Sequence, residues 1–431
     1  MSARGLRIAV VGGGIGGLTL ALALRQRGLS AKVYEQASEL IEIGAAVALS
    51  ANATRELRRL GVLDQALAVA TEPTELIFRD GRDGRRIAAH PVRQDGRYRE
   101  RFGAPYLGIH RADLQRILGG ALGGEGLHLG HRLSDLVDHG SGVELSFANG
   151  RVAQADLAVG ADGIRSLVRR FVTGSEGAVY SRTSGFRGIV PASRLPSLPD
   201  PQAIQFWMGP GAHLLHYAIG GRGEDVNFLA VVEGPADWPH GDRWQAGCEP
   251  SEALAAFQDW HPAVTEMIGA VEHRLRWGLF VGRPLLRWSR GRVVLLGDAA
   301  HAMLPHHGQG ANTTIEDAVT LADLLAGTAL DGLEPVLARY QTLRVARTRT
   351  IQRSSRATND LLHLPDGPAL AARDRRMTRF PEDFGWIHAF DTATSIGDRR
   401  EPTATAAMPS DAMTAPSGEV SAVASTHSGA P

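Results

Sequence analysis

The 431-residue chain carries 46 basic and 46 acidic residues, with 43% hydrophobic and 21% charged positions. That length exceeds one ordinary core and predicts one large or two intimate domains, and the balanced charge favours neither nucleic acid nor an anionic membrane surface as a partner. Cys248 is the only cysteine and Lys32 the only lysine, which excludes an intrachain disulfide, a cysteine-held iron–sulfur cluster and a Cys₄ zinc site, confines Schiff-base chemistry to Lys32, and fits a cytoplasmic protein.

Residues 7–12 read as a short buried strand. The run Gly12-Gly13-Gly14-Ile15-Gly16-Gly17 then fits G-x-G-x-x-G at Gly12, Gly14 and Gly17. An apolar helix pattern follows over 18–24, and a second strand over 31–34 ends in Glu35, 18 residues after Gly17. The three glycines allow a tight turn, close approach of backbone to a pyrophosphate and close helix–strand packing, while the helix N-terminus offers free N–H groups. The acid stands where a carboxylate meets a ribose hydroxyl. Residues 8–24 lack charge, but their five glycines suit a nucleotide turn rather than a membrane span. A ligand-free glycine turn is the competing reading, and the motif by itself does not separate FAD from NAD.

Residues 72–106 alternate short apolar runs with Gly, Pro and charged turns, as in a small sheet insertion. Residues 155–163 read as a strand ending in an Asp-Gly turn at Asp162, with a basic helix start over 164–170. A strand-rich segment spans 183–280, with strands near 202–207, 213–219 and 226–232 and helices over 251–257 and 262–271. Residues 291–301 form a turn, a buried strand and the acidic strand end Asp298. Pro305, the glycine-containing run 308–312 and a helix over 313–325 follow. Each Asp has the simpler reading of a turn or helix cap. Residues 334–363 read as one long polar helix, with Leu337, Tyr340, Leu343 and Val345 on its buried side. The Ala/Ser/Thr/Pro-rich tail 399–431 is expected to be disordered and without function.

These motifs together resemble the single-component FAD-dependent aromatic hydroxylases, the group of salicylate, 3-hydroxybenzoate and para-hydroxybenzoate hydroxylases. The resemblance runs from about Arg7 to Asp391. It is carried by Gly12–Gly17 with Glu35, His110-Arg111-Ala112-Asp113-Leu114, Gly160-Ala161-Asp162-Gly163, and Gly297-Asp298-Ala299-Ala300-His301 with Pro305 and Gln309-Gly310-Ala311. It implies an α/β fold: a Rossmann-like FAD-binding domain of the para-hydroxybenzoate hydroxylase type (1–72, 107–182 and 281–330). A β-sheet substrate domain (73–106 and 183–280) is interleaved with it, and C-terminal helices span 331–398. It further implies that Gly12, Gly14 and Gly17 meet the FAD pyrophosphate and Glu35 its ribose. Arg111 lies along the phosphate and ribityl region, and Asp162 sits in a turn touching FAD. Asp298 holds the ribityl chain, while Gly310, Ala311 and Asn312 pass beneath the flavin ring. No second GxGxxG unit appears, in keeping with a transient site for NADH or NADPH on the same fold.

The strand over 213–219 holds the most informative polar side chains. His213 and Tyr217 share one face and His216 takes the other. The two would stand about 13 Å apart and flank one small ligand; some 3-hydroxybenzoate hydroxylases place a similar pair at the substrate. A satisfied sheet histidine and a half-buried tyrosine are the plainer alternatives. Val47, Pro305, His306 and His388 are the further substrate-site candidates. Val47 stands where hydroxynicotinate relatives carry histidine, which argues against that substrate. A metal site built from Asp298, His301, His306 and His307 is disfavoured, because flavin activates oxygen without one.

The expected reaction is hydroxylation of a small phenolic aromatic acid by O₂ through a flavin C4a-hydroperoxide. NADH or NADPH is the reductant, and His213, with Tyr217, is the candidate catalytic group. A tailoring monooxygenase for a larger aromatic or indole-like substrate is the alternative, and a non-catalytic flavin sensor the reading from another class. The expected partners are the aromatic substrate, O₂ and the nicotinamide cofactor, with no nucleic acid and no membrane, in a monomer or a homodimer.

Overall fold

The computed structural model describes residues 5–40, 46–124, 126–175, 177–241, 243–272 and 275–397. The tail 399–431 and residues 43–45, the start of the segment read as a pocket wall, lie outside them. Ile8–Val11 is buried along its whole length, as an apolar run in a parallel sheet covered on both faces must be. It sits inside a six-stranded sheet, between Leu157–Gly160 and Ala31–Tyr34, with Val293–Leu295 beyond the former and Leu127–His128 beyond the latter. These strands run parallel, and only Ser289–Arg290 adds an antiparallel edge.

The first helix, Ile15–Gln26, begins within the glycine run rather than after it. Leu18 N–H already donates to Gly14 O at 3.1 Å, so Gly16 and Gly17 are its first turn. Those glycines are demanded by proximity. A Cβ on Gly17 would stand 1.9 Å from Gly12 O, and one on Gly16 2.6 Å from the Thr314 side chain of helix Gln309–Leu325.

The two β-rich segments merge in one eight-stranded sheet. Glu75–Asp80 pairs parallel with Ile204–Gly209, which continues through Ala212–Ile219 and Asp225–Glu233 to the 14-residue strand Ala178–Pro191. That last strand starts five residues before the expected segment and is interrupted by a register shift between Tyr180 and Ser184, where Arg182 takes φ +69°. Helices Pro250–Ala255 and Pro262–Gly269 stand where the sequence places them, each opened by a proline.

Helix Leu333–Leu362 has 30 residues, roughly 45 Å of helix. Its buried face differs from the apolar reading. Leu337 and Tyr340 are buried as expected, but Arg344 and Arg347 take the places expected of Leu343 and Val345, which are only half-buried. Arg344 Nε meets Asp317 Oδ1 at 2.6 Å and its NH2 meets Glu316 Oε2 at 2.7 Å, while Arg347 NH2 meets Glu316 Oε1 at 2.6 Å. Among the described residues, no helix is long and apolar enough to cross a membrane.

Candidate active site

A cleft of about 280 Å³ opens where the C-terminal ends of the parallel strands face the eight-stranded sheet, the place at which open α/β sheets bind ligands. Gly14, Arg111, Asp298, Gly310 and Ala311 line it on the Rossmann side, and Val47, Pro305 and Tyr217 line its inner end. Asp298 is exposed within the cleft at the start of the short helix Asp298–His301. A Cβ on Gly310 would meet nothing nearer than Asp298 Oδ1 at 4.0 Å. Gly310 is therefore not required by packing inside the protein; its bareness leaves the cleft floor open beside a carboxylate.

The glycine turn lies at the other end. Gly12 has φ +110°, and a Cβ there would stand 2.3 Å from Ala161 O. Glu35 Oε2 accepts from Gly13 N–H at 2.6 Å and its Oε1 from Ala37 N–H at 2.8 Å, so the carboxylate is locked beside the turn. Gln115 donates to Gly13 O at 2.9 Å and braces the turn from the next helix. A bare backbone turn, a helix N-terminus, one carboxylate at each end and Arg111 between them match the polarity of a dinucleotide whose phosphates are anionic and whose sugars are polyols. The residues present fit FAD.

At two of the expected cofactor positions the side chain serves the protein's own backbone. The Asp162 side chain does not face the cleft: it accepts from Ser166 Oγ at 2.5 Å, Leu167 N–H at 2.8 Å and Val168 N–H at 3.2 Å, closing the start of helix Leu167–Thr173. Its neighbours Ala161 and Gly163 are the turn residues that border the cleft. Asn312 is also turned away. Its Oδ1 accepts from Ser50 N–H at 2.8 Å, and its Nδ2 donates to Ala48 O at 2.8 Å and Gly308 O at 2.6 Å. It therefore ties the cleft floor to strand Ala46–Leu49. Both are short polar side chains used where the backbone would otherwise leave unpaired groups.

Beyond Tyr217 the cleft leads into an inner chamber of about 40 Å³. Tyr106, Tyr217, His306, His307 and His388 supply all its polar lining. Among the described residues, no permanently charged side chain lines it. Burial pushes the Tyr106 and Tyr217 hydroxyls above the usual tyrosine range, so both remain donors at neutral pH. Burial, with His363 and His307 nearby, brings His306 down to about 3, and burial beside His307 brings His388 to about 3. The chamber is thus a neutral set of imidazole and phenol groups.

His213 stands elsewhere than expected. It shares the face of Tyr217, as the strand period requires, but lines neither the cleft nor the chamber. It lies behind His306, ring centroids 4.9 Å apart, and its Nδ1 is 2.6 Å from His363 Nε2. The alternation of a strand fixes the face and not the depth. Four residues along, the strand has already passed beneath the loop that carries His306. His216 is buried on the opposite face against Trp207, as the alternation predicts.

The loop 297–308 is held by charge from below. Asp317 Oδ2 accepts from Gly297 N–H at 3.1 Å and contacts His301 Nε2 at 2.5 Å, while its other oxygen meets Arg344. His301 is thereby committed to Asp317, and the described residues contain no group of three or more His, Cys, Asp or Glu placed to hold a metal ion.

Arg187 escaped the sequence reading. It lines the cleft, lies 4.6 Å from the centroid of Trp277, and is lowered by burial and by Arg111. The signal was an arginine between glycines, Gly185-Phe186-Arg187-Gly188, inside an apolar strand. Tyr106, just before the strand that carries His110, was missed because nothing in its local pattern points to a site.

A family model described as FAD binding domain matches residues 6–355. The chain is 40% identical over 387 residues to 3-amino-4-hydroxybenzoate 2-monooxygenase of Streptomyces cremeus, covering 89% of this chain and 95% of that one. It is 32% identical over 389 residues to 6-hydroxynicotinate 3-monooxygenase of Pseudomonas fluorescens, covering 89% and 95%. Among solved structures, a salicylate hydroxylase substrate complex superposes with TM-score 0.79 at 27% identity, covering 93% of this chain and 99% of that one.

Proposed function

The chain belongs to this FAD-binding family of aromatic monooxygenases, and on that premise we propose that it hydroxylates a small phenolic acid of the hydroxybenzoate or aminohydroxybenzoate kind, with NADH or NADPH as reductant. The carrying observation is the neutral chamber at the inner end of the cleft, where Tyr217, His306 and His388 offer donors and acceptors and no fixed charge. A cavity of about 150 Å³ accommodates a benzene ring. The 40 Å³ chamber is smaller than that, so a substrate ring straddles the mouth between chamber and cleft, beside Tyr217 and Leu215, which line both.

FAD, when bound, would supply hydride acceptance and O₂ activation. Gly14, Gly310, Ala311, Asp298 and Arg111 would hold it, with Glu35 at the far end. The chain's own residues do the remaining work. Tyr217, kept protonated, donates to the substrate's ring oxygen and orients it. His306, kept neutral, accepts the phenolic proton at a ring nitrogen and so raises the electron density of the ring carbon to be attacked. An arriving carboxylate supplies the negative charge that makes an imidazolium tolerable in this buried place. His213 is a positioning residue that sets His306 from behind. The closed aromatic walls exclude water, which protects the activated oxygen from wasteful decay.

The test is oxidation of NADH and of NADPH by the FAD-loaded protein across phenolic acids, aminohydroxybenzoates and indoles, with H₂O₂ measured alongside. Stimulation by a phenolic acid with little peroxide is expected. Stimulation by indoles or larger rings alone, or none by any ring, overturns the substrate assignment.

A further inference from the structure

A second cavity, of about 230 Å³, lies outside the inner chamber, between helices Arg97–Phe102 and Phe380–Ala389 and the end of strand Arg86–Pro91. The two spaces share Leu76, Tyr106, Ile204, Phe380, Phe384 and His388 in their linings. These side chains therefore form a partition one residue thick. The inner chamber shares Ala48, Leu215, Tyr217 and Gly308 with the flavin-facing cleft in the same way. The chamber thus adjoins the outer cavity on one side and the cleft on another.

The outer cavity has aromatic walls, Tyr98, Phe102, Tyr106 and Phe384 among them, and an exposed rim that carries Arg97 and Arg101 together with Glu382. Arg97 is 79% exposed and pairs with Asp95 at 3.0 Å. Arg101 lies 5.1 Å from the centroid of Phe102 and donates to Pro381 O at 3.0 Å. Aromatic faces with guanidinium groups at the entrance suit a flat anion. Exposed charges hold it weakly but draw it in from solvent.

The partition is built to yield. His388 Nδ1 contacts Tyr98 Oη at 3.1 Å, and its ring stands edge-on to Tyr98, Phe102 and Tyr106 with centroids 5.6–5.8 Å apart. Tyr98 is anchored separately, accepting from Ala51 N–H at 3.0 Å. Swinging His388 aside breaks one hydrogen bond and three edge-on ring contacts, while Tyr98 keeps its bond to Ala51.

We propose that this outer cavity is the entrance chamber for aromatic carboxylates, which pass from it through the Tyr106–Phe384–His388 partition to the inner chamber. The inference rests on the substrate being a small aromatic acid. It adds the route by which that acid arrives and assigns Arg97 and Arg101 to its capture.

The test uses FAD-loaded enzyme and benzoate, which lacks the hydroxyl needed for turnover, with the flavin absorbance change followed by stopped flow. In R97Q/R101Q, benzoate association slows about fivefold at low ionic strength with dissociation little changed, and the difference vanishes near about 0.5 M salt. Neutral phenol is unaffected. Phe384→Trp, which thickens the partition, slows association and dissociation by the same factor and leaves Kd within about twofold, whereas Phe384→Leu speeds both. Unchanged association in all of these variants overturns the route. So does a Phe384 effect confined to dissociation, which would make the wall part of the bound site, or a failure of benzoate to reach the flavin at all. If benzoate enters as described yet no phenolic acid is hydroxylated, the substrate reading fails and the route stands. Hydroxylation with unaltered entry kinetics does the reverse.

Discussion

His213 Nδ1 and His363 Nε2 lie 2.6 Å apart, joining the eight-stranded sheet to the residue that caps the long helix Leu333–Leu362. One ring must donate and the other accept, so the contact exists only while at least one of the two is neutral. Burial enforces this, bringing His363 to about 4 and His213 well below the ordinary histidine range. His363 also faces Glu233 across 3.5 Å on its outer side.

Acid should therefore unfold the protein early. His213, His216, His306, His307, His363 and His388 are all held below their unfolded value, with His216 at about 3 and His307 at about 4. A histidine of depressed pKa adds nothing above about pH 6.5, where both states are neutral, and costs stability as pH falls, because only the unfolded chain takes the proton. Each depressed histidine costs on the order of 1 kcal/mol per pH unit below about 6.5, and the loss levels off near the folded value. Glu56, raised by burial, opposes the trend in the carboxylate range. Urea midpoints between pH 7.5 and 5 check this. A flat profile would contradict the neutral-histidine description.

Glu316→Gln should destabilise the fold by about 3–5 kcal/mol, since Arg344 and Arg347 would remain buried with half their countercharge gone. Glu316 is fully buried and held at about 2 by Arg347 and Arg344 against its desolvation, so it stays ionised throughout the accessible range. Denaturant unfolding measures the cost. A loss below about 1 kcal/mol would mean that water or a rearranged partner replaces the carboxylate.

The glycines separate into two kinds. Gly17→Ala places a Cβ 1.9 Å from Gly12 O and should unfold the turn, giving colourless, destabilised protein. Gly310→Ala meets only Asp298 Oδ1 at 4.0 Å. It should fold with normal thermal stability as apoprotein yet bind FAD about tenfold more weakly, as a methyl group intrudes on the cleft. Flavin titration together with apoprotein melting tests the pair. Equal FAD affinity in Gly310→Ala would place the ring elsewhere.

Tyr217→Phe should keep its FAD and lose about 10- to 100-fold in kcat/KM, the value of one hydrogen bond to a developing phenolate. His306→Leu should keep flavin reduction and lose coupling, visible as more H₂O₂ per NAD(P)H oxidised. His213→Ala should do less than either at the optimum and shift the pH profile instead. If His213→Ala were the most damaging of the three, the proton acceptor would be His213, as the strand pattern alone had suggested.

The cofactor half of the site was legible because each part of it is local. A buried strand, a glycine turn, a helix start and an acid at the next strand end occupy one continuous stretch, so Gly12, Gly14, Gly17 and Glu35 announce one another. Asp298 was legible for the same reason, as an acidic strand end followed by glycines. Asp162 and Asn312 show what a local motif leaves open. A short polar side chain beside a turn satisfies the nearest backbone first, and the motif does not reveal which way it faces.

The sequence by itself determined the α/β architecture and the dinucleotide cleft, because nucleotide binding is written in backbone geometry that only certain residues at certain spacings permit, and its motifs taken together carried the family resemblance that implied the class of chemistry. Sequence pattern offered Tyr217, His306 and His388 as candidates, and tertiary structure decided how the inner chamber is assembled. It joins Tyr106, Tyr217, His306 and His388 from four separate parts of the chain, sets His213 behind them rather than among them, and seats Arg344 and Arg347 where an apolar helix face was expected. Those placements depend on how deep a strand runs beneath a loop and on which charges meet after the sheet and helices close, and neither leaves a periodic trace in the sequence.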